Sequence, residues 1–330
     1  MSDRPKQEDT VVDILQKYYL QKLKNNLISE RTYVIYQNII FILQKNLINA
    51  PIQSLQVQDI ENLSDNIRCY SNETITKIWN CLKFTFKLAY NRRIIDYNIM
   101  LDDTLMKPNS NKLSSPVEAL TLTEQTQLIT ILKKELSQNS KYQLHIYACL
   151  LCLYTGMRIG EALALCQDAI NLDNNTITVK RTLTTNTQGK IYLNPHTKSY
   201  KSNKNADSGK RTFFMYPQVQ EIVIDLLENS SSETPNGILF WNSQKNSYLS
   251  SNEVNYYLQA INKKYSIISG RLHSHILRHT FITRCVESGV NLKVIQYLVG
   301  HTKNSTLTLD IYTSISSDFI HQELQKLISQ

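Results

Sequence analysis

At 330 residues the chain is long enough for two domains with separate cores. Its 42% apolar and 19% charged residues are ordinary for a globular protein, and no stretch of eighteen apolar residues lacks charges, which excludes a membrane-spanning helix. A formal net charge of +8, with the Lys and Arg excess falling almost wholly after residue 106, favours a polyanionic partner without assigning one.

The N-terminal stretch Met1–Glu8 has no apolar h-region, so no signal peptide is expected. Val11–Asn25 and Glu30–Lys45 repeat apolar residues at helical spacing, and Val57–Ile60 is a shorter helical candidate. Glu73–Arg93 carries a stripe of Ile75, Ile78, Leu82, Phe86 and Ala89. Thr76, Asn80, Lys83, Lys87 and Asn91 share its other side. That polar side is either a solvated face or, with Arg92 and Arg93 beyond it, a surface for a DNA backbone.

Residues 102–119 hold two prolines, three serines and little periodicity, the composition of a linker. The predicted division is a helical domain over 1–106, a linker over 107–119 and a second domain over 120–330. The second domain opens on Thr121 and Glu124, spaced as a capping box ahead of a helix over Gln125–Leu136. Tyr142–Tyr154 is apolar on almost every side and belongs at the centre of a core. It contains Cys149 and Cys152 at CxxC spacing, but no second ligand pair is near, so buried thiols are expected rather than a metal or redox site. The six scattered cysteines suit a cytoplasmic protein.

The period then changes. Thr176–Thr182, Lys190–Leu193 and Arg211–Met215 read as strands of one small sheet, with a Lys-, Ser- and Asn-rich loop over Ser199–Gly209. Helices resume at Pro217, and Asn291–Val299 forms an amphipathic helix stopped by Gly300. The predicted fold class is mainly α with a small antiparallel β-sheet.

Several residues stand out chemically. Arg158 in Thr155–Glu161 is a charge in an apolar setting, suited either to a structural pair with Glu161 or to binding phosphate oxygens through its planar fork. His275 and Arg278 are three residues apart and share a helix face. His275 and His279 form an HxxxH pair, yet no Glu follows the first His, so a phosphate site fits better than zinc. His301 follows the predicted helix stop, and Tyr312 lies a short segment later. Two arginines and nearby imidazoles can hold a pentavalent phosphoryl transition state without a metal. A phenol beside such cations becomes a competent nucleophile, and a lysine there can serve as general acid because its pKa falls.

These boxes, in this order, resemble the tyrosine recombinase (phage-integrase) family. The TGxRxxE box is filled by Arg158 and Glu161, the HxLRHT box by His275, Leu277, Arg278, His279 and Thr280. Val299-Gly300-His301 stands for the LGH box, and Thr308 with Tyr312 for the nucleophile box. The resemblance implies that Arg158 and Arg278 bind the scissile phosphate, that His275 and His301 assist proton transfer, and that Tyr312 forms a 3′-phosphotyrosyl link. Pro195–Ser199 fits the family's hairpin lysine pattern, making Lys198 the general acid, with Lys210 as the alternative because the loop is long. It also implies a helical core-binding domain of SAM-like fold ahead of a catalytic domain, and a homo-tetramer that exchanges strands of double-stranded DNA through a Holliday junction. The tail Ser317–Leu327 would dock in a neighbour. No cofactor or metal is expected, a directionality factor or host DNA-bending protein is a candidate partner, and no separate arm-binding domain is expected ahead of the helices. Two other readings are a type IB topoisomerase-like enzyme that relaxes supercoils, and a non-catalytic helical DNA-binding regulator.

Overall fold

The computed structural model describes residues 6, 8–112, 119–138, 141–186, 188–197, 209–230, 234–300 and 317–328, the last segment with side chains at 322–327 only. Packing divides the chain into two compact units, Met1–Pro116 and Val117–Gln330.

The first unit is built on four helices, α1 (Val11–Lys24), α2 (Glu30–Asn46), α3 (Val57–Ile67) and α4 (Asn72–Asn91). The hydroxyls of Thr10, Ser29 and Ser71 accept from backbone N–H groups of the first turns of α1, α2 and α4, satisfying donors the helices leave unpaired. Burial follows the periodicity: α4 turns Ile75, Ile78, Leu82, Phe86 and Ala89 inward and leaves Lys83, Lys87, Arg92 and Arg93 exposed. Helix α3 runs well past the four residues expected of it, because Leu63 and Ile67 continue the buried stripe. Ser64 fits inside that stripe by donating to the Ile60 carbonyl at 2.8 Å. Part of the expected linker is held by this unit: the Asn111 amide donates to the Arg68 carbonyl, and Ser110 bonds Asn72 and Tyr70.

In the second unit the Thr121–Glu124 capping box forms as expected and starts α5 (Leu122–Ser137). Helix α6 (Gln143–Thr155) is buried from Ile146 to Leu153, including Cys149 and Cys152, both 0% exposed. Among the described residues no group of three potential metal ligands gathers. Gly156 ends α6 in the left-handed region at φ +66°, and a Cβ there would overlap the Phe281 ring. Gly156→Ala is therefore expected to cost roughly 1–3 kcal/mol, read as a lower melting midpoint. Gly189→Ala serves as the comparison, with positive φ but no atom of the described residues within 4 Å of the new carbon, and is expected to cost less.

The single small sheet expected from the sequence is three among the described residues. Strands β1 (Ile170–Asn171), β2 (Thr176–Val179) and β5 (Arg211–Phe214) form an antiparallel sheet in the order β1-β2-β5, with Val179 opposite Arg211. β3 (Thr182–Thr185) pairs β4 (Ile191–Asn194), and β6 (Trp241–Asn242) pairs β7 (Ser247–Tyr248). The run Thr176–Thr182 breaks because Asp168 captures its middle: Arg181 donates both guanidinium nitrogens to the carboxylate at 2.5 and 2.8 Å, and Lys180 pairs with it at 3.0 Å. The chain leaves the first sheet there and enters the second.

Helices α8 (Pro217–Glu228), α9 (Ser251–Tyr265), α10 (Ser274–Glu287) and α11 (Leu292–Val299) complete the core, and α10 packs along α6. The final helix, α12 (Ser317–Ile328), packs on its own chain: Leu324 joins the core and the Glu323 carboxylate accepts from the Asn291 amide at 2.6 Å, ahead of α11. Within the single chain, the described part of this helix packs against its own domain.

Candidate active site

Three helix ends meet where the site forms. Arg158 follows the α6 terminus as the N-cap of a short helix, α7 (Ile159–Ala162), and its amide donates to Glu161 Oε2 at 3.0 Å. His275 and Arg278 lie in the first turns of α10. Gly300 ends α11 at φ +58°, as its position after the amphipathic stripe predicts.

The carbonyls at the end of α11 have no intrahelical donors, and guanidinium groups supply them. Arg278 donates from Nη2 to the Val299 carbonyl at 2.6 Å and from Nη1 to the Gly156 carbonyl at 2.7 Å. Arg158 donates to Val299 and Gly300, both at 3.3 Å, while its Nη1 also reaches Glu161 Oε1 at 3.1 Å. Arg158 thus forms the structural pair with Glu161 that the sequence left open, and 35% of its side chain remains exposed. Each guanidinium has five N–H donors, so Arg158 and Arg278 both retain hydrogens that no protein acceptor among the described residues takes.

Electrostatics point the same way. Burial, and then the nearby Arg158 charge, push Arg278 down to about 9, with Glu161 opposing the shift. Burial and a neighbouring like charge both disfavour the charged guanidinium, so an anion beside these groups would be stabilising. His275, on the exposed side of the α10 start, is held below the ordinary imidazole value by desolvation and by the charges of His273, Arg278, His279 and Arg158. His279 is exposed and points away from the buried Arg278. The amide of Ser274 donates to Asn255 Oδ1 at 2.9 Å, so α9 anchors the turn that carries His275. That anchor was not visible in the sequence, because nothing in the spacing of Asn255 marks it.

The same omission applies to Arg211. It is buried at the head of β5, donates from Nη2 to Glu161 Oε2 at 2.8 Å, and donates from Nε to the Leu298 carbonyl. The alternation along β5 offered a signal, since Arg211 falls on the buried side with Phe213. Glu161, 1% exposed between Arg158 and Arg211, is desolvated, yet the two guanidinium groups still hold it below the usual carboxylate range. The other expected site residues, Lys198, His301 and Tyr312, lie outside the described residues. Lys210 is described and exposed, one residue before β5.

His145, His273 and His275 all sit below the ordinary imidazole value, each chiefly through burial. The folded chain therefore binds fewer protons at these sites than the unfolded chain does. Their contribution to stability is complete above the unfolded value and is lost as pH falls through the folded values. The melting midpoint is expected to drop as pH goes from 8 to 5, with the decline beginning near 6.5. A smaller decline is expected in His145→Gln, because the His145 Nδ1 is buried without a hydrogen-bond partner among the described residues.

Residues 118–318 match the phage integrase family model. The chain belongs to the phage integrase family, and it is a site-specific DNA recombinase of the tyrosine type. It is 24% identical to the transposase of transposon Tn916 from Enterococcus faecalis, over 95% of this chain and 77% of that one. Its fold is similar to that of the Tn1549 transposon integrase solved with transposon right end DNA, at a TM-score of 0.74 and 23% identity, covering 97% of this chain and 100% of that one. It is also similar to a lambda integrase tetramer solved on a Holliday junction, at a TM-score of 0.60 and 18% identity, covering 92% and 81%.

Proposed function

We propose that this recombinase integrates or excises a mobile element by cleaving and rejoining double-stranded DNA through a 3′-phosphotyrosyl intermediate. The observation that carries the reading is the convergence of Arg158 and Arg278 on the Val299 carbonyl, with N–H donors of both left over among the described residues. A phosphodiester placed against those donors would accept charge-assisted hydrogen bonds from both guanidinium groups.

In the proposed reaction the Tyr312 phenol attacks phosphorus as His275 and His301 assist removal of its proton. The two arginines neutralise charge on the non-bridging oxygens, and Lys198, or Lys210 in its place, donates a proton to the departing 5′-oxygen. The phosphotyrosyl ester conserves the energy of the broken bond, so a 5′-hydroxyl from another strand can reverse the step without ATP. A homo-tetramer exchanging strands in pairs through a Holliday junction is supported by the lambda integrase tetramer on such a junction. A mobile-element role is supported by the transposon relatives. A directionality factor or host DNA-bending protein, and action in the cytoplasm, complete the proposal.

The test is a supercoiled plasmid carrying two copies of the joined ends of the element that encodes the chain. Recombination yields two circles or an inverted segment, without metal or ATP. A ladder of relaxed topoisomers with no recombinants would instead mark a strand-relaxing enzyme, and intact supercoils under tight binding a regulator.

A further inference from the structure

We propose that Arg211 is a positioning residue of the strand-transfer site, which shares the buried Glu161 with Arg158 and so keeps the Arg158 charge available to the scissile phosphate. The inference rests on the phosphate-binding reading of Arg158 and Arg278 given above.

The geometry has two parts. Glu161 accepts Arg158 at 3.1 Å on Oε1 and Arg211 at 2.8 Å on Oε2 and 3.3 Å on Oε1. Both members of the Glu161–Arg211 pair are almost wholly buried, at 1% and 2% side-chain exposure, whereas 35% of the Arg158 side chain is exposed. The carboxylate charge is therefore met from below by Arg211, and Arg158 faces outward with its own charge largely uncancelled. Without Arg211, Glu161 would keep one cation within reach, and Arg158 would be drawn into a closed pair with it. The pocket would then offer a phosphate the net charge of one guanidinium rather than two.

The second part is mechanical. Arg211 donates from Nε to the Leu298 carbonyl, beside the Val299 and Gly300 carbonyls held by Arg278 and Arg158. Three guanidinium groups thus hold three successive carbonyls at the α11 terminus. Gly300 lies so close to Arg211 that a Cβ there would stand 2.9 Å from Nη1. One buried side chain therefore ties the head of β5, the Arg158 turn and the α11 terminus. A lysine at 211 supplies charge but not the fork that reaches Glu161 and Leu298 together.

The test uses the full chain on nicked duplexes from the ends of its element, in single turnover at saturating DNA, with rates referred to folded protein by near-UV circular dichroism. Arg211→Met is expected to cleave about 100-fold more slowly than wild type, with a DNA Kd changed less than about threefold. Adding Glu161→Gln removes both buried charges and is expected to bring the rate back to within about tenfold of wild type, while Arg211→Lys falls between. A folded Arg211→Met that cleaves at the wild-type rate, or a loss that Glu161→Gln does not recover, would overturn the inference. Where the single Met variant does not fold, the double variant is compared with wild type. Cleavage within about tenfold supports the inference and a loss of about 100-fold overturns it.

If wild type itself forms no covalent complex, the functional reading fails and the His275 ring titration, followed by NMR, decides the inference. Arg211→Met leaves Glu161 less compensated, so the His275 midpoint is expected to rise and to return when Glu161→Gln is added. An unmoved midpoint would sink it.

Discussion

Arg278→Ala is expected to slow single-turnover strand cleavage by about 1,000-fold, a loss typical of removing a preorganised charge from a transition state. The side chain is 5% exposed, and its two terminal nitrogens hold the Gly156 and Val299 carbonyls, which fixes the plane of the guanidinium. Alanine removes the charge, takes away the described donor to the Gly156 carbonyl and leaves Val299 to Arg158 alone, and lysine is expected to recover little because one ammonium cannot span both carbonyls. Comparing cleavage rates with DNA affinity separates the effects. A rate loss with nearly constant Kd is the expected pattern, since phosphates elsewhere along the duplex dominate binding. A loss confined to Kd would contradict a transition-state role.

Glu161→Ala carries the second large effect, on stability. The carboxylate is the buried counter-ion of Arg211 and a partner of Arg158, and it also accepts the Arg158 amide. Its removal strands the Arg211 guanidinium at 2% exposure without its carboxylate partner. Breaking such a pair from one side costs about 3–5 kcal/mol, which for a unit of this size lowers the melting midpoint by roughly 10 °C. A differential scanning measurement that finds the variant within about 2 °C of wild type would show that Arg211 is satisfied without Glu161.

Much of the fold was legible in the sequence because local rules and burial agree. Thr121 and Glu124 form their capping box, α4 buries the stripe of Ile75, Ile78, Leu82 and Phe86, and Gly300 stops α11. The strand Thr176–Thr182 was read as continuous because alternation cannot register a distant carboxylate, and Asp168 splits it. The helix α3 was read short because the polar Ser64 interrupts its apolar stripe, while its hydroxyl in fact bonds back along the helix.

At the site, Arg158, His275 and Arg278 stood out because charged and titratable residues in apolar settings are uncommon and their boxes fall in order. Arg211 and Asn255 did not stand out, since each acts through a partner far away in sequence: Glu161 and Leu298 for Arg211, Ser274 for Asn255. Only the fold brings those partners together. A buried arginine on a strand that alternates with Phe213 and Met215 was nonetheless a signal, because such a charge requires a buried counter-ion.

The measurement that tests the central claim most directly traps the covalent step. End-labelled duplexes from the element's ends, nicked near the crossover so that the freed 5′-hydroxyl strand diffuses away, are incubated with wild type and with Tyr312→Phe, without metal or ATP. Denaturing electrophoresis is expected to show a protein–DNA band with wild type and none with Tyr312→Phe, although both bind the duplex. A band of equal intensity in Tyr312→Phe would remove Tyr312 as the nucleophile, and no band with either protein on duplexes that both bind would contradict strand transfer.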